Sequence, residues 1–479
     1  MTSMPLDIDR FSAFYRGLRT IDLYRPEPGV LPPLTSVFDL NRVITRGAAY
    51  IPRVYRKSYL SALQENLPYI LASLENQPQA NWFAWVEPLC APIYQHAPNQ
   101  IVTQVWPQLR RFTAVVSNLY RSFTNANKRA SLNIPLVSDT PPLAFFQSYS
   151  SGPYTIPSDV IERLLGAKIG IVSLPAAYRD HPVLWATLTH EVCGHDVVHA
   201  DVELIPELVQ GIRSVFTTGP ILSRGELTPD ALYALLWSYW VDEATSDVYG
   251  VLNLGPTFAL NMTAFLASLE TRAGLFGGLS PPQRPRLRTE TVVLPDGSMD
   301  RHPTDILRLY LAIGVIENLH SLSEDRRNEY VAFIQAVAAQ AADGVTEVRF
   351  SGKAEINHAN WREISTTVPL ADAATAARRV GKYIATAQLK ALGGNSIQVI
   401  ETWDDADEET ARYVADRIAK GQAITRAADD AQLLAGAMLA LINQPELYAV
   451  AAYLLNAALD DSYRRDPIWR AVGPGSFFG

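Results

Sequence analysis

The segment "ATLTHEVCGHDVVHAD", residues 186–201, places the tightest constraint on how this chain can fold. It holds three of the eight histidines, and His190, Glu191 and His195 stand together in it. Residues of an α-helix turn by about 100° each, so His190 and His195 lie about 140° apart on a regular helix. A wide turn with i→i+5 hydrogen bonds brings both imidazoles to one side, and such turns recur at functional sites. Gly194 favours that turn because it has no Cβ.

A second set of metal-binding side chains in this segment needs no wide turn. Glu191, His195 and His199 follow one another at intervals of four, so they line one stripe of an undistorted helix. The spacing within the segment slightly favours this set. Two histidines and one carboxylate form a ligand set typical of non-haem iron, which would make the chain an oxygen-dependent oxidoreductase. A non-catalytic metal-binding protein is a third interpretation.

The segment "WVDEATSDVYG", residues 240–250, favours the first set. Glu243 and Asp247 are four apart on one face of a predicted helix that is otherwise apolar and aromatic, and Asp242 precedes them. Buried carboxylates are costly unless they are paired or bound to a metal. A zinc ion held by two histidines needs a third protein ligand, and its histidines need a carboxylate on the far ring nitrogen. Glu243 and Asp247 can fill those two roles.

Together the two segments resemble the zinc site of the gluzincin metallopeptidases, in which Glu-x-x-x-Asp follows a histidine helix. The form His-Glu-x-x-Gly-His is similar to the HExxxH motif of dipeptidyl peptidase III. The segment "DEATSD" is similar to the Glu-Glu-x-x-Ala-Asp motif of that family. The resemblance implies one zinc ion per chain, bound by His190, His195 and Glu243, with Glu191 as the general base.

The resemblance also implies that Asp242 and Asp247 orient the zinc ligands from behind. The sequence departs from the family at position 242, where it has aspartate, and in carrying His199. We expect His199 to support the site without binding the metal, because a catalytic zinc usually keeps one position open. Cys193 is expected to fill apolar space, since good ligands are already present.

Two further features bear on a hydrolytic reaction. Cleavage of an amide builds an oxyanion that needs a hydrogen-bond donor, and His302, Tyr249 and Arg308 are the candidates. The run "AKIGIVSLP", residues 167–175, predicts a strand that ends at a proline. At the edge of a sheet it could pair with an extended peptide substrate, and the alternative is a strand buried inside the sheet.

The chain as a whole has the composition of a globular protein. Its 479 residues carry a formal net charge of -8, which argues against nucleic acid or an anionic membrane as the main partner. Two distant cysteines do not make a disulfide framework. The stretch "MTSMPLDIDRFSAFYRG" lacks the apolar region of a secretory signal. The sequence contains no long apolar run free of charged residues, so we expect no transmembrane helix. We therefore expect a cytoplasmic protein.

The predicted fold is mainly α, in the α+β class, with a gluzincin-like core and a small sheet before the histidine segment. Three regions are expected: an N-terminal helical region, 1–145, a metal-binding catalytic core, 146–345, and a C-terminal helical region, 346–479. The expected activity is zinc-dependent hydrolysis by a metallopeptidase, with a peptide or another amide as the substrate.

Overall fold

The computed structural model describes residues 6–18, 42, 44–45, 47–74, 79–96, 105–147, 152–216, 227–275, 286–357 and 360–469. Over these residues the chain is mainly helical with two small sheets, which confirms the predicted fold class. None of the helices described is both long and apolar enough to cross a membrane.

The helices of the described residues differ widely in length. Two segments, Arg56–Leu60 and Thr189–Asp196, are π-helical, and short 3₁₀ turns occur at Ala176–Tyr178, Pro182–Thr187, Lys390–Leu392 and Pro445–Leu447. The α-helices are Ile8–Leu18, Arg53–Tyr55, Ser61–Leu74, Gln79–Tyr94, Trp106–Thr124, Ala126–Ser131, Ser158–Leu165, Val197–Ala200, Leu204–Phe216, Pro229–Tyr239, Val241–Leu254, Thr257–Leu275, Asp305–Ile316, Glu324–Ala342, Leu370–Thr386, Ile397–Ile400, Asp405–Ala419, Asp430–Asn443 and Tyr448–Arg465.

Local signals in the sequence explain where several helices begin and end. The Thr228 hydroxyl accepts a hydrogen bond from the backbone N–H of Ala231, and Pro229 occupies the first helical position. The helix that begins there, Pro229–Tyr239, ends at Trp240, whose backbone leaves the helical region. The helix Val241–Leu254, here called the acidic helix, then ends at Gly255, which has a φ of 71°.

The first sheet has three strands in the order β1-β3-β2, where β1 is Leu143–Gln147, β2 is Tyr154–Ile156 and β3 is Ile171–Pro175. β3 pairs in parallel with β1 and antiparallel with β2. The predicted strand at 167–175 is therefore present, and of the two positions left open for it the structure has the one inside the sheet. β3 is the central strand, so its backbone groups are already paired on both sides and cannot hold a peptide.

The two outer strands of this sheet differ in their surroundings. The side chain of Gln95 donates to the carbonyl of Phe146 and accepts from its N–H, so it takes the place of a further strand beside β1. β2 has no second strand partner among the residues that the structure covers. Thr155, at the centre of β2, contacts the histidine segment. The edge of the sheet nearest the histidines is thus β2.

The second sheet is a hairpin of β4, Glu347–Asn357, and β5, Asn360–Pro369. β4 begins in the β-prone run "TEVRF", whereas β5 was not predicted. Burial alternates along β5, but its less exposed face consists of Arg362, Ile364, Thr366 and Val368, so only two apolar side chains mark that face. The predicted turn at Asp296–Gly297 is present and joins the bridge between Val293 and Met299.

The largest hydrophobic cluster draws buried side chains from each of the three predicted regions, from Phe11 to Leu459. A smaller cluster packs between β1 and the helices that precede it. The histidine segment and the acidic helix both contribute to the larger cluster, so the site rests on the main core. The division of the chain at 145 and 345 stays a prediction.

Burial of Asp430 makes stability depend on pH. Asp430 is fully buried at the start of its helix, and this burial raises its pKa from 3.8 to about 7. The folded chain therefore keeps a proton that the unfolded chain releases, and stability falls as pH rises from about 4 to about 7. We expect Asp430→Asn to unfold at higher urea than wild type at pH 8, with the advantage gone at pH 4. The control is Asp461→Asn, which makes the same change at an exposed site. An increase in the urea midpoint that is equal at pH 4 and pH 8, or that Asp461→Asn also shows, would contradict this account.

Candidate metal centre

The histidine helix is the segment 182–200, and it changes its hydrogen bonding along its length. It is 3₁₀ over Pro182–Thr187, π over Thr189–Asp196 and α over Val197–Ala200. The wide turn that the five-residue spacing requires is therefore present, and the undistorted helix that would align Glu191, His195 and His199 is not. The rings of His190 and His195 meet edge to face, with centroids 4.9 Å apart.

Three contacts hold the π-helical turn in place. The carboxylate of Asp196 accepts from the backbone N–H of Ser158 at 2.8 Å, which ties the turn to the start of the helix Ser158–Leu165. Cys193 is buried, and its thiol donates to the carbonyl of Leu119, in keeping with a packing role. Gly194 lies against the acidic helix, where a Cβ would overlap the Cα and Cβ of Ser246. The glycine thus permits close helix packing as well as the wide turn.

Replacing Gly194 by alanine is expected to separate the two helices and weaken metal binding. The added methyl group meets backbone of the acidic helix, which cannot move aside as a flexible side chain can. We expect Gly194→Ala to bind zinc at least about tenfold more weakly in a competition assay with a chelator. The control is Gly17→Ala in an open helical position with nothing near the added Cβ. Equal zinc affinity in both variants would contradict the proposed packing.

Three ligand atoms converge between the histidine helix and the acidic helix. His190, His195 and Glu243 each offer one donor atom, and the three atoms lie within 4.8 Å of one another. Glu243 Oε2 is 3.1 Å from His190 Nε2, and Glu243 Oε1 is 3.4 Å from His195 Nε2. Burial opposes ionisation of Glu243, but the adjacent His195 and His302 outweigh it and hold its pKa well below the ordinary value.

The far nitrogen of His190 is fixed by a buried ion pair. Its Nδ1 donates to Asp247 Oδ1 at 2.9 Å. Arg308 donates to the same carboxylate through Nε and one Nη, both at 2.7 Å. Burial raises the pKa of Asp247, yet Arg308 outweighs that effect and the net pKa is lowered. Because Asp247 accepts the hydrogen bond from Nδ1, the Nε2 of His190 is left to face the cluster.

A second carboxylate stands behind His195. Asp242 Oδ1 lies 3.4 Å from His195 Nδ1, and Asp242 Oδ2 lies 3.1 Å from His199 Nε2. The other nitrogen of His199 is 3.7 Å from Asp159. Burial opposes ionisation of Asp242, but His195 and His199 outweigh it, so its pKa is lowered. Asp242 and Asp247 thus lie on the far side of the two imidazoles from Glu243, and His199 lies beyond Asp242.

Glu191 lies beside the cluster and faces a cavity. The hydroxyl of Thr155 in β2 is 3.0 Å from both the carbonyl oxygen and the carboxylate Oε2 of Glu191, so it can donate to either. The cavity has a volume of about 290 Å³, and both His190 and Glu191 line it. The predicted base is thus held by the edge strand, next to a space that admits a small molecule.

His302 reaches the cluster from the loop before the helix Asp305–Ile316. Its Nε2 is 3.4 Å from Glu243 Oε1, and its Nδ1 donates to Asp300 at 2.8 Å. The side chain is 48% exposed and lines the same cavity. Partial desolvation opposes protonation of His302, but Glu243 and Asp300 outweigh it and raise its pKa. This position suits a hydrogen-bond donor to a ligand in the cavity.

The other two candidate oxyanion donors lie elsewhere or are occupied. The ring of Tyr249 is fully buried against Phe123, with centroids 4.5 Å apart, and it does not line the cavity. Arg308 borders the cavity but uses two nitrogens on Asp247. Tyr249 faces away because it stands six residues after Glu243, on a different side of the acidic helix. The structure therefore leaves His302 as the candidate donor.

The alternative metal site on Glu191, His195 and His199 is not assembled. The only group of three or more ligand side chains that converges among the described residues is the one that includes His190. His199 is engaged by Asp242, and Glu191 by Thr155. The regular stripe that would align these three side chains does not form because the helix is π-helical from Thr189 to Asp196.

Several residues that shape the site were not predicted. Thr155 and Asp159 are far in sequence from the groups they contact, whereas Asp300 lies two residues before its partner His302, and no short motif marks any of the three. Arg308 was one of three candidate oxyanion donors, and the structure places it on Asp247. A buried arginine in an apolar helix does signal a buried acid partner, because a lone internal charge is costly.

Comparison of the chain with protein-family models, with curated proteins and with solved structures found no match.

Proposed function

We propose that this chain is a zinc-dependent hydrolase that cleaves amide bonds, with peptides as the substrate class. The observation that carries this proposal is the convergence of His190, His195 and Glu243. Glu191 lies beside them and lines the adjoining cavity. A purely structural metal site has no need of Glu191 at its side. The resemblance of the two segments to gluzincin motifs supports the same activity.

The donor set fits zinc. Two imidazole nitrogens and one carboxylate oxygen are the ligand types and the number found in catalytic zinc sites, which leave a further position open. Asp247 and Asp242 stand behind the two histidines, an arrangement that leaves each Nε2 facing Glu243, where the three side chains would hold an ion. A zinc ion bound here would act as a Lewis acid on the carbonyl and lower the pKa of bound water.

Glu191 and His302 have the positions that amide hydrolysis requires. Glu191 accepts a proton from the attacking water and passes it to the leaving nitrogen, so one side chain serves both steps. The hydroxyl of Thr155 orients its carboxylate. His302, with Nδ1 held by Asp300, donates from Nε2 to the carbonyl oxygen as that oxygen gains negative charge.

The outer edge of β2 supports a peptide as the substrate. β2 contacts Glu191 through Thr155, and Gly152 and Pro153, which precede the strand, line the cavity. An extended peptide can add to such an edge through backbone hydrogen bonds, independent of its side chains. The segment 167–175, one candidate for such an edge, lies inside the sheet, so β2 is the edge considered for a peptide.

The direct test is hydrolysis by zinc-loaded protein of a library of short peptides, followed by mass spectrometry. We expect cleavage that disappears when zinc is removed by a chelator and returns when zinc is restored. Cleavage that survives removal of the metal would contradict the proposal. So would the absence of cleavage in a library that covers free and blocked termini.

A further inference from the structure

The cavity beside His190 and Glu191 has one polar side and one apolar side. The polar side includes His302, Arg288 and Asp300. The apolar side is formed by one helix, Thr257–Leu275, and consists of Phe258, Met262, Phe265 and Leu266, here called the apolar wall. A bound molecule therefore meets hydrogen-bonding groups at one end and hydrocarbon at the other.

The spacing of the apolar wall explains how one helix supplies it. Its residues follow at i, i+4, i+7 and i+8, so they form a single stripe along the helix. Phe258, Met262 and Leu266 are nearly fully buried and belong to the main hydrophobic core. The same stripe also lines a space of about 290 Å³ that the metal-site residues share. The stripe is thus continuous with the proposed reaction centre.

The size of the cavity limits what it can hold. Its volume of about 290 Å³ equals that of roughly ten water molecules. This lies at the lower end of the range for small-molecule sites. One large side chain with the adjoining amide group suits this space, whereas a bulky folded segment does not.

We propose that the substrate is a short amide that carries an aromatic or large aliphatic side chain next to the cleaved bond, and that this side chain binds the apolar wall. The inference rests on the proposed function for the location of the cleaved bond. The amide group then lies toward Glu191 and His302, while the side chain displaces water from Phe258, Met262, Phe265 and Leu266. Burial of that side chain supplies both affinity and selectivity.

Two metal-binding probes test the apolar wall without any need for turnover. Acetohydroxamate and phenylacetohydroxamate share one zinc-binding group and differ in a phenyl ring. We expect the phenyl compound to bind zinc-loaded wild-type protein roughly 10- to 100-fold more tightly by calorimetry, the ratio expected for burying a Phe-sized group. A more negative heat-capacity change is expected to accompany it, since that marks apolar burial.

Variants of the wall separate this effect from a general loss of structure. Leu266→Trp fills the cavity and is expected to remove the phenyl advantage. Met262→Ala enlarges it and is expected to move the preference from phenyl to naphthylacetohydroxamate. Leu260→Met, on the same helix but outside the cavity lining, is the control and should keep the wild-type ratio. Zinc content measured in each variant shows that the centre is retained.

The outcomes distinguish this inference from the proposed function. Equal binding of both hydroxamates by zinc-loaded wild type overturns the apolar wall as a substrate site and leaves the metal centre intact. Binding of neither hydroxamate to zinc-loaded protein contradicts the open zinc site and this inference together. A phenyl advantage that Leu266→Trp abolishes supports the inference, even if no peptide in the library is cleaved.

Discussion

Replacing Glu191 by glutamine is expected to abolish turnover while the zinc ion stays bound. Glutamine has nearly the same size and can still accept from the Thr155 hydroxyl, but it cannot take a proton from water. Loss of a general base costs roughly 10²- to 10⁴-fold in kcat. The measurement is kcat on a cleaved peptide together with zinc content, and KM is expected to change little.

Glu162→Gln is the matched control for this substitution. Glu162 is exposed on the helix Ser158–Leu165, so the same chemical change there should leave kcat unaltered. Full activity in Glu191→Gln would show that Glu191 is not the base. Loss of zinc from that variant would instead make Glu191 a ligand and revive the set with His195 and His199.

Replacing Arg308 by methionine is expected to give the largest loss of stability near the site. Arg308 and Asp247 are both buried, and the arginine donates twice to the carboxylate at 2.7 Å. Removing one partner leaves an uncompensated charge in the interior, which costs about 3–5 kcal/mol. We expect urea denaturation of metal-free Arg308→Met to show a decrease of that size in the free energy of unfolding.

Two comparisons establish the cause of that loss. Asp247→Asn combined with Arg308→Met removes the unpaired charge and should recover most of the stability. Arg301→Met breaks an exposed pair with Glu355, 3.4 Å long, and should cost less than about 1 kcal/mol. If Arg308→Met is no more harmful than Arg301→Met, the buried ion pair does not stabilise the site.

The centre of the site was predictable because each signal was local. The five-residue interval from His190 to His195 requires a wide turn for joint binding, and the structure has a π-helix there. Glu243 and Asp247 stood out because acids are costly in an apolar helix. These arguments use residues within one helical segment, where spacing alone determines which side chains share a face.

The parts that were not predicted depend on contacts between distant segments. The position of β3 between two strands follows from pairing with β1 and β2, which nothing in its own sequence reveals. Tyr249 was a candidate by residue type, but packing on Phe123 removes it from the cavity. β5 was missed because its less exposed face has only two apolar side chains, Ile364 and Val368, and its exposed face carries Trp361, so the apolar alternation is weak.

The central claim is that zinc binds to His190, His195 and Glu243. The most direct test is zinc content, by elemental mass spectrometry, of wild type, His190→Ala and His199→Ala after incubation with zinc. These variants remove one histidine each from the same helix, inside and outside the proposed ligand set. We expect about one zinc per chain in wild type and His199→Ala, and none in His190→Ala. Zinc retained by His190→Ala and lost from His199→Ala would contradict the account, as would a wild-type chain that takes up no metal.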